Sequence, residues 1–128
     1  MTAELPGIET IGQIAIVVHD TDRAVRFYRD VLRLKLLFTA PPGLAFFDCG
    51  GIRLMLSPPD KPEFDHPGSI LYYKVAEIEA AHAALVDRGV AFEQGPHLVA
   101  KLPDHELWLA FFRDTEGNAL SLMCEKRT

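Results

Sequence analysis

Sulfur, basic clusters and long apolar runs are all scarce in this chain, and each shortage removes a class of function. Two cysteines, Cys49 and Cys124, lie in separate apolar stretches without Cys-x-x-Cys spacing or a neighbouring histidine. Neither a zinc knuckle nor a disulfide framework is therefore expected, and both read as small core residues of a reducing, cytoplasmic protein. Thirteen Lys and Arg face 18 Asp and Glu, a formal net charge of −5. No basic run is available to neutralise phosphates, so nucleic acid is not an expected partner. No stretch reaches the ~18 apolar residues of a membrane span. Met1 to Gly7 holds Glu4 and Pro6 instead of the basic start and apolar centre of a secretory leader.

What is present is a repeat. Gln13-Ile14-Ala15-Ile16-Val17-Val18 and Ile70-Leu71-Tyr72-Tyr73-Lys74-Val75 each precede a helix-like stretch at a constant offset, 70 − 13 = 75 − 18 = 57. Each copy closes on a similar strand, Gly51-Ile52-Arg53-Leu54-Met55-Leu56 and Gly117-Asn118-Ala119-Leu120-Ser121-Leu122. Two copies are too few for a solenoid and predict a duplicated module closing around a shared cavity. At 128 residues, 48% of them hydrophobic, the chain suits one domain that buries roughly two-thirds of its unfolded surface.

Module 1 spans about residues 11–57. An apolar run at Ile11–Val18 predicts a buried strand, and Asp20 or Thr21 can cap a helix over Arg23–Leu34, with Ala24, Phe27, Tyr28, Val31 and Leu32 inward. Strands are predicted at 35–39, 44–49 and 52–57. The proline-rich segment 58–68 reads as a linker. Module 2, about 69–124, repeats the plan: a strand at 69–75, a helix at 77–88 ended by Gly89, and strands near 90–93, 107–113 and 119–124. The unit is βαβββ in both copies, an α+β architecture. Module 2 is longer, since its closing glycine lies 117 − 51 = 66 beyond its counterpart, an excess of nine over 57. The excess falls between Phe92 and Glu116, where residues 94–106 read as an inserted loop carrying His97, Asp104, His105 and Glu106 ahead of the single tryptophan, Trp108.

Ile14-Ala15-Ile16-Val17-Val18-His19-Asp20, followed by Ala24, Phe27 and Tyr28, and Phe112-Arg113-Asp114-Thr115-Glu116-Gly117-Asn118 together resemble the vicinal oxygen chelate superfamily. That group includes glyoxalase I, extradiol dioxygenases, and fosfomycin and bleomycin resistance proteins. The resemblance covers about Ile11 to Cys124. It implies two βαβββ modules forming an open, cup-shaped mixed sheet, and a homodimer. It specifies the fold far better than one reaction, because the fold hosts many chemistries.

Metal-using members place one ligand at the start of each module's first strand and one on each last strand. Carried over residue by residue, these positions are Gln13, Met55, Ile70 and Ser121, of which Gln13 alone is a plausible ligand. A catalytic divalent site needs about three His, Asp, Glu or Cys ligands, and a thioether suits soft copper(I). The expectation is therefore a degenerate metal site, no metal at these positions, no cofactor, and a cup rebuilt as a mostly apolar small-molecule pocket. Alternation along the strands places Gln13, Ala15, Val17, Arg53, Met55, Ile70, Tyr72, Lys74, Ala119, Ser121 and Met123 on the inward set, with Trp108 added from the longer module.

Each residue also has a plainer reading. Gln13 can serve a ligand carbonyl or a strand end, Tyr72 can be an ordinary core tyrosine, and Trp108 can be core or interface. The Asp114–Asn118 segment reads as a structural turn. His97 and His105 fit a displaced metal site, a His–carboxylate acid/base pair, polar fixing of a ligand, or caps of a proline-containing loop. Three functions follow. The first is a binding module that sequesters a partly apolar or aromatic molecule, with the acidic net charge compatible with a cationic one. The second is a glyoxalase- or dioxygenase-like lyase, isomerase or oxidoreductase. It would be metal-independent, with His105 or His97 as acid/base and Tyr72 or Arg53 as electrophile, or would hold a divalent metal through a rearranged His97/His105 set. The third is a structural dimer with a filled cup.

Overall fold

The computed structural model describes residues 7–128, so the leader reading of Met1 to Gly7 lies, except for Gly7, outside the described residues. Two four-stranded mixed sheets make up the molecule, one per module. In module 1, β1 (Gln13–Val17) runs parallel to β4 (Ile52–Ser57), and β3 (Leu44–Cys49) and β2 (Lys35–Ala40) follow antiparallel, giving the order β1-β4-β3-β2. Module 2 repeats this with β5 (Leu71–Lys74), β8 (Ala119–Arg127), β7 (His105–Arg113) and β6 (Phe92–Lys101), in the order β5-β8-β7-β6. The duplication read from the sequence is thus a duplication of sheets.

One helix crosses each module. Asp20 caps α1 (Thr21–Arg26) by accepting the Arg23 N–H at 3.1 Å, while the Thr21 hydroxyl turns away to the Gly43 carbonyl. A π-helical turn over Phe27–Val31 continues α1, so this helix ends before the expected Leu34. The Leu32 and Leu34 N–H groups then close back on the Phe27 and Tyr28 carbonyls, with Arg33 left-handed at φ 61°. In the second copy, α2 (Ile78–Asp87) stops at Gly89, whose φ of 96° suits a residue without a Cβ.

Strand alternation sorts each sheet into two faces. Phe47, Leu54 and Leu56 join Val18, Ala24 and Tyr28 of module 1 in one buried cluster, together with Ile78, Ala110, Phe112, Leu120 and Leu122 of module 2. The two modules therefore share a single core on their helix-bearing faces. A polar seam borders it. Tyr28 donates its hydroxyl to Asp114 at 2.6 Å, Asn118 donates to the Val17 carbonyl at 3.1 Å, and Arg88 donates to the Val31 carbonyl at 2.9 Å. Glu116 accepts the His19 and Asp20 N–H groups and the Arg23 guanidinium.

Residues 94–106 correct the expected loop. Their ends are strand, and the turn is confined to 102–104 between β6 and β7. Strand registers carry the nine-residue excess: Gln13 pairs with Arg53, 40 apart, whereas Leu71 pairs with Leu120, 49 apart. Gly95 and Pro96 made this stretch read as loop, yet β6 is the edge of its sheet, where proline loses no ladder hydrogen bond. Further corrections are smaller. The first strand of module 2 begins at Leu71 instead of Ser69, the strand expected at 90–93 runs from Phe92 to Lys101, and the last strand extends past Cys124 to Arg127.

Candidate functional site

The faces turned away from the shared core carry most of the predicted site residues, and they form two separate groups. On sheet 1, Gln13 lies opposite Arg53 and accepts its Nε–H at 2.7 Å, while the Gln13 amide nitrogen reaches the Met55 sulfur at 3.9 Å. The Arg53 guanidinium carbon sits 5.5 Å from the centre of the Phe46 ring, and Phe46 stacks on Phe38 at 4.4 Å and 25°. An amide, a guanidinium, a thioether and two rings thus share one open sheet face.

On sheet 2, Tyr72 pairs with Ser121 across the parallel β5–β8 ladder, and its ring meets Phe111 edge-on at 6.1 Å. His97 lies 6.1 Å from the same Phe111 ring, with its Nδ1 at 2.8 Å from the Gly95 carbonyl. Ile70 precedes β5 and is exposed. Farther along β7, His105 Nδ1 lies 2.7 Å from Asp104 and Nε2 lies 3.8 Å from Glu125, which also receives Lys74 at 3.4 Å. The His105 contact holds the Asp104 carboxyl below its ordinary range. Trp108 occupies the other face of β7. Its indole N–H donates to Glu106 at 3.0 Å, and the Lys126 ammonium sits 4.2 Å above its ring. It does not join Tyr72, Ser121 and His97.

Among the described residues, no hydrogen bond or ring contact links the sheet 1 group to the sheet 2 group. The contacts that join the modules fall along the polar seam and the shared core. Phe38, Phe46, Phe111 and Glu125 were not singled out from sequence. Phe46 was within reach, because it pairs directly with Met55. Phe38 was not, because a register shift between Leu36 and Phe38 breaks the parity on which alternation depends.

A divalent metal does not fit the four carried-over positions. Gln13 Oε1 is committed to a guanidinium whose charge opposes a cation. Ser121 is fully buried, with its hydroxyl donated to the Leu122 carbonyl at 2.8 Å. Met55 offers only a soft thioether and Ile70 no donor at all. Among the described residues, no three His, Cys, Asp or Glu side chains converge elsewhere as a metal-holding group.

A cavity of about 500 Å³ lies on the helix side, lined by Cys49, Ile52, Tyr73, Ala84, Leu85 and Arg88. The copies differ beside it: Asp114 accepts the hydroxyl of Tyr28, whereas the residue equivalent to Tyr28 by the 57-residue offset is Leu85, which lines the cavity. Asp48, the counterpart of Asp114 (114 − 66), accepts the Gly51 N–H at 3.2 Å. The Tyr73 hydroxyl is buried without a protein partner, and burial pushes its pKa well up.

Paired βαβββ modules with a shared core and open outer sheet faces define a cup-forming α+β protein. The chain belongs to the Glyoxalase/Bleomycin resistance protein/Dioxygenase superfamily, whose family model matches residues 10–122. Its structure is similar to that of a superfamily member from Sphaerobacter thermophilus, with TM-score 0.78, 22% identity, and coverage of 92% of this chain and 98% of the other. TnmS3, an antibiotic binding protein from Streptomyces sp. CB03234, is similar with TM-score 0.78, 23% identity, and coverage of 95% and 100%. A lactoylglutathione lyase from Agrobacterium tumefaciens is similar with TM-score 0.75, 22% identity, and coverage of 91% and 94%. At these identities the likeness is one of fold. Among curated proteins no sequence matches this chain.

Proposed function

We propose that the protein binds a small, partly aromatic molecule in a cup, as a sequestering or resistance-type member of its superfamily. One observation carries this reading: Gln13 and Met55, at two of the positions where metal-using relatives place ligands, cluster with Arg53 beside the stacked Phe46 and Phe38. Rings, a thioether and two oriented polar groups suit a ligand site that binds by stacking and hydrogen bonding. The antibiotic binding role of TnmS3 on the same fold is consistent with it.

The cup is completed by a second copy of the chain. The sheet 1 and sheet 2 groups lie on faces turned away from the core they share, so each needs an opposing wall. A homodimer supplies one by setting the sheet 1 face of one chain against the sheet 2 face of the other. Calorimetric titration with planar aromatic compounds tests the binding reading, with saturable binding expected and lost in Phe38→Ala. Near-stoichiometric transition metal in protein purified without chelator would overturn it.

His105 supports a second reading. Held between Asp104 and Glu125 with only 16% of its side chain exposed, it is a His–carboxylate pair of the kind used in proton transfer. A lyase or isomerase activity that disappears in His105→Gln, with the fold intact, would favour this reading over simple binding.

A further inference from the structure

The superfamily fold leaves the ligand's chemistry open, and the surroundings of Arg53 narrow it. Arg53 is exposed and has no carboxylate within 4 Å among the described residues, whereas Arg23, Arg29, Arg113 and Arg127 each have one. Asp48 pairs with Arg53 across β3 and β4, yet its carboxylate is turned to the Gly51 N–H. Arg53 therefore has no salt-bridge partner among the described residues of its own chain. Its orientation is nevertheless fixed. Gln13 Oε1 takes the Nε–H at 2.7 Å, and the guanidinium carbon lies 5.5 Å from the Phe46 ring centre. With Nε occupied, both terminal nitrogens remain as a parallel pair of donors, the geometry that receives a carboxylate in two hydrogen bonds.

The rest of the face fits the remainder of such a ligand. Phe38 stacks on Phe46 and is 47% exposed, so the aromatic surface continues outward from the guanidinium. A flat ring system lying along Phe38 would bring a carboxylate attached to it toward Arg53. Lys74, the basic residue on the sheet 2 face near Tyr72, is directed to Glu125 and does not compete.

We infer that the ligand is a planar aromatic carboxylate, with Arg53 receiving its carboxylate and Phe38 and Phe46 its ring. This rests on the cup reading above and gives it a substrate class opposite in charge to the one compatible with the net charge of −5. Local charge decides here, because the Arg53 guanidinium would hydrogen-bond the ligand's carboxylate directly, while the neighbouring Asp48 carboxylate is held by the Gly51 N–H.

Three probes with one ring system separate the possibilities: 1-naphthoate, 1-naphthamide and 1-naphthylmethylamine. Each is titrated into the full-length protein while NMR follows the Arg53 side-chain Nε–H and the amides of Phe38 and Phe46. Naphthoate is expected to saturate and to bind about tenfold or more tightly than the amide, as a charge-assisted pair requires. Arg53→Gln should erase that difference, and Arg53→Lys should restore only part of it. Both variants alter an exposed side chain, and naphthamide binding serves as the control for an intact cup. Equal binding of the amide or the amine, or naphthoate affinity unchanged in Arg53→Gln, would overturn the carboxylate inference and leave the cup standing. Failure of all three probes to shift Phe38 and Phe46 would overturn both.

Discussion

Asp114 gathers the Tyr28 hydroxyl, the Glu116 and Asn118 N–H groups and the Asn118 side-chain amide onto one buried carboxylate. Tyr28→Phe removes the hydroxyl and leaves part of that carboxylate unsatisfied, so a loss of about 1–3 kcal/mol is expected in urea unfolding. Glu116 is the acidic partner whose pH behaviour matters. Burial alone would raise its pKa, but the Asp20 N–H, the Arg23 guanidinium and the His19 N–H together hold it below the ordinary 4.5. A carboxyl lowered on folding contributes stability that is complete above its unfolded pKa and is lost as pH falls through the folded value. Glu116→Gln should therefore be less stable than the parent at pH 7, and the difference between the two melting curves should shrink as the pH falls below the ordinary 4.5. A constant difference across that window would mean that the carboxylate charge is not what Arg23 and the two amides hold. At this scale the sequence was partly legible. Asp114–Asn118 read as a turn, but its role as the hub between modules depends on Tyr28, 86 positions away.

The elements differ from their sequence reading where edge strands and bulges relax the usual rules. β6 absorbs Gly95 and Pro96 at the sheet edge, and its register shifts three times against β7, so neither alternation nor loop composition marks it. The long β6–β7 hairpin places His97 and His105 on one face of sheet 2 and Trp108 on the other, a separation visible only once the strand is known to continue. Asymmetry between α1 and α2 gives a further prediction. Ala84, on α2, lines the cavity together with Cys49 and Ile52 of module 1. Ala84→Leu should fill part of that space and raise the stability by about 1 kcal/mol, since each newly buried methylene contributes roughly 0.8 kcal/mol. A lower melting temperature would show that the surrounding side chains cannot accept the added volume.

At the scale of the whole molecule, the shared core fixes which sheet faces are left for a ligand. A dimer whose cups combine sheet 1 of one chain with sheet 2 of the other makes a specific forecast. Arg53→Ala and Tyr72→Ala chains should each lose tight naphthoate binding, yet mixed dimers of the two should recover one intact cup in two. Equal amounts unfolded and refolded together give mixed dimers in about half of the population, so recovery is read by calorimetry as binding to about one cup in four. No recovery would place both walls of the cup in a single chain. The sequence by itself determined the module plan, the α+β class, the nine-residue excess and the chemistry of Gln13, Met55, Ile70 and Ser121, because these depend on local periodicity, offsets and side-chain type. Only the tertiary structure decided that the predicted pocket residues divide between two outward faces, that Phe38 and Phe46 underlie Arg53, and that Trp108 lies apart. Those outcomes depend on which sheet faces pack together and where strands slip, and both are set by contacts between residues far apart in the chain.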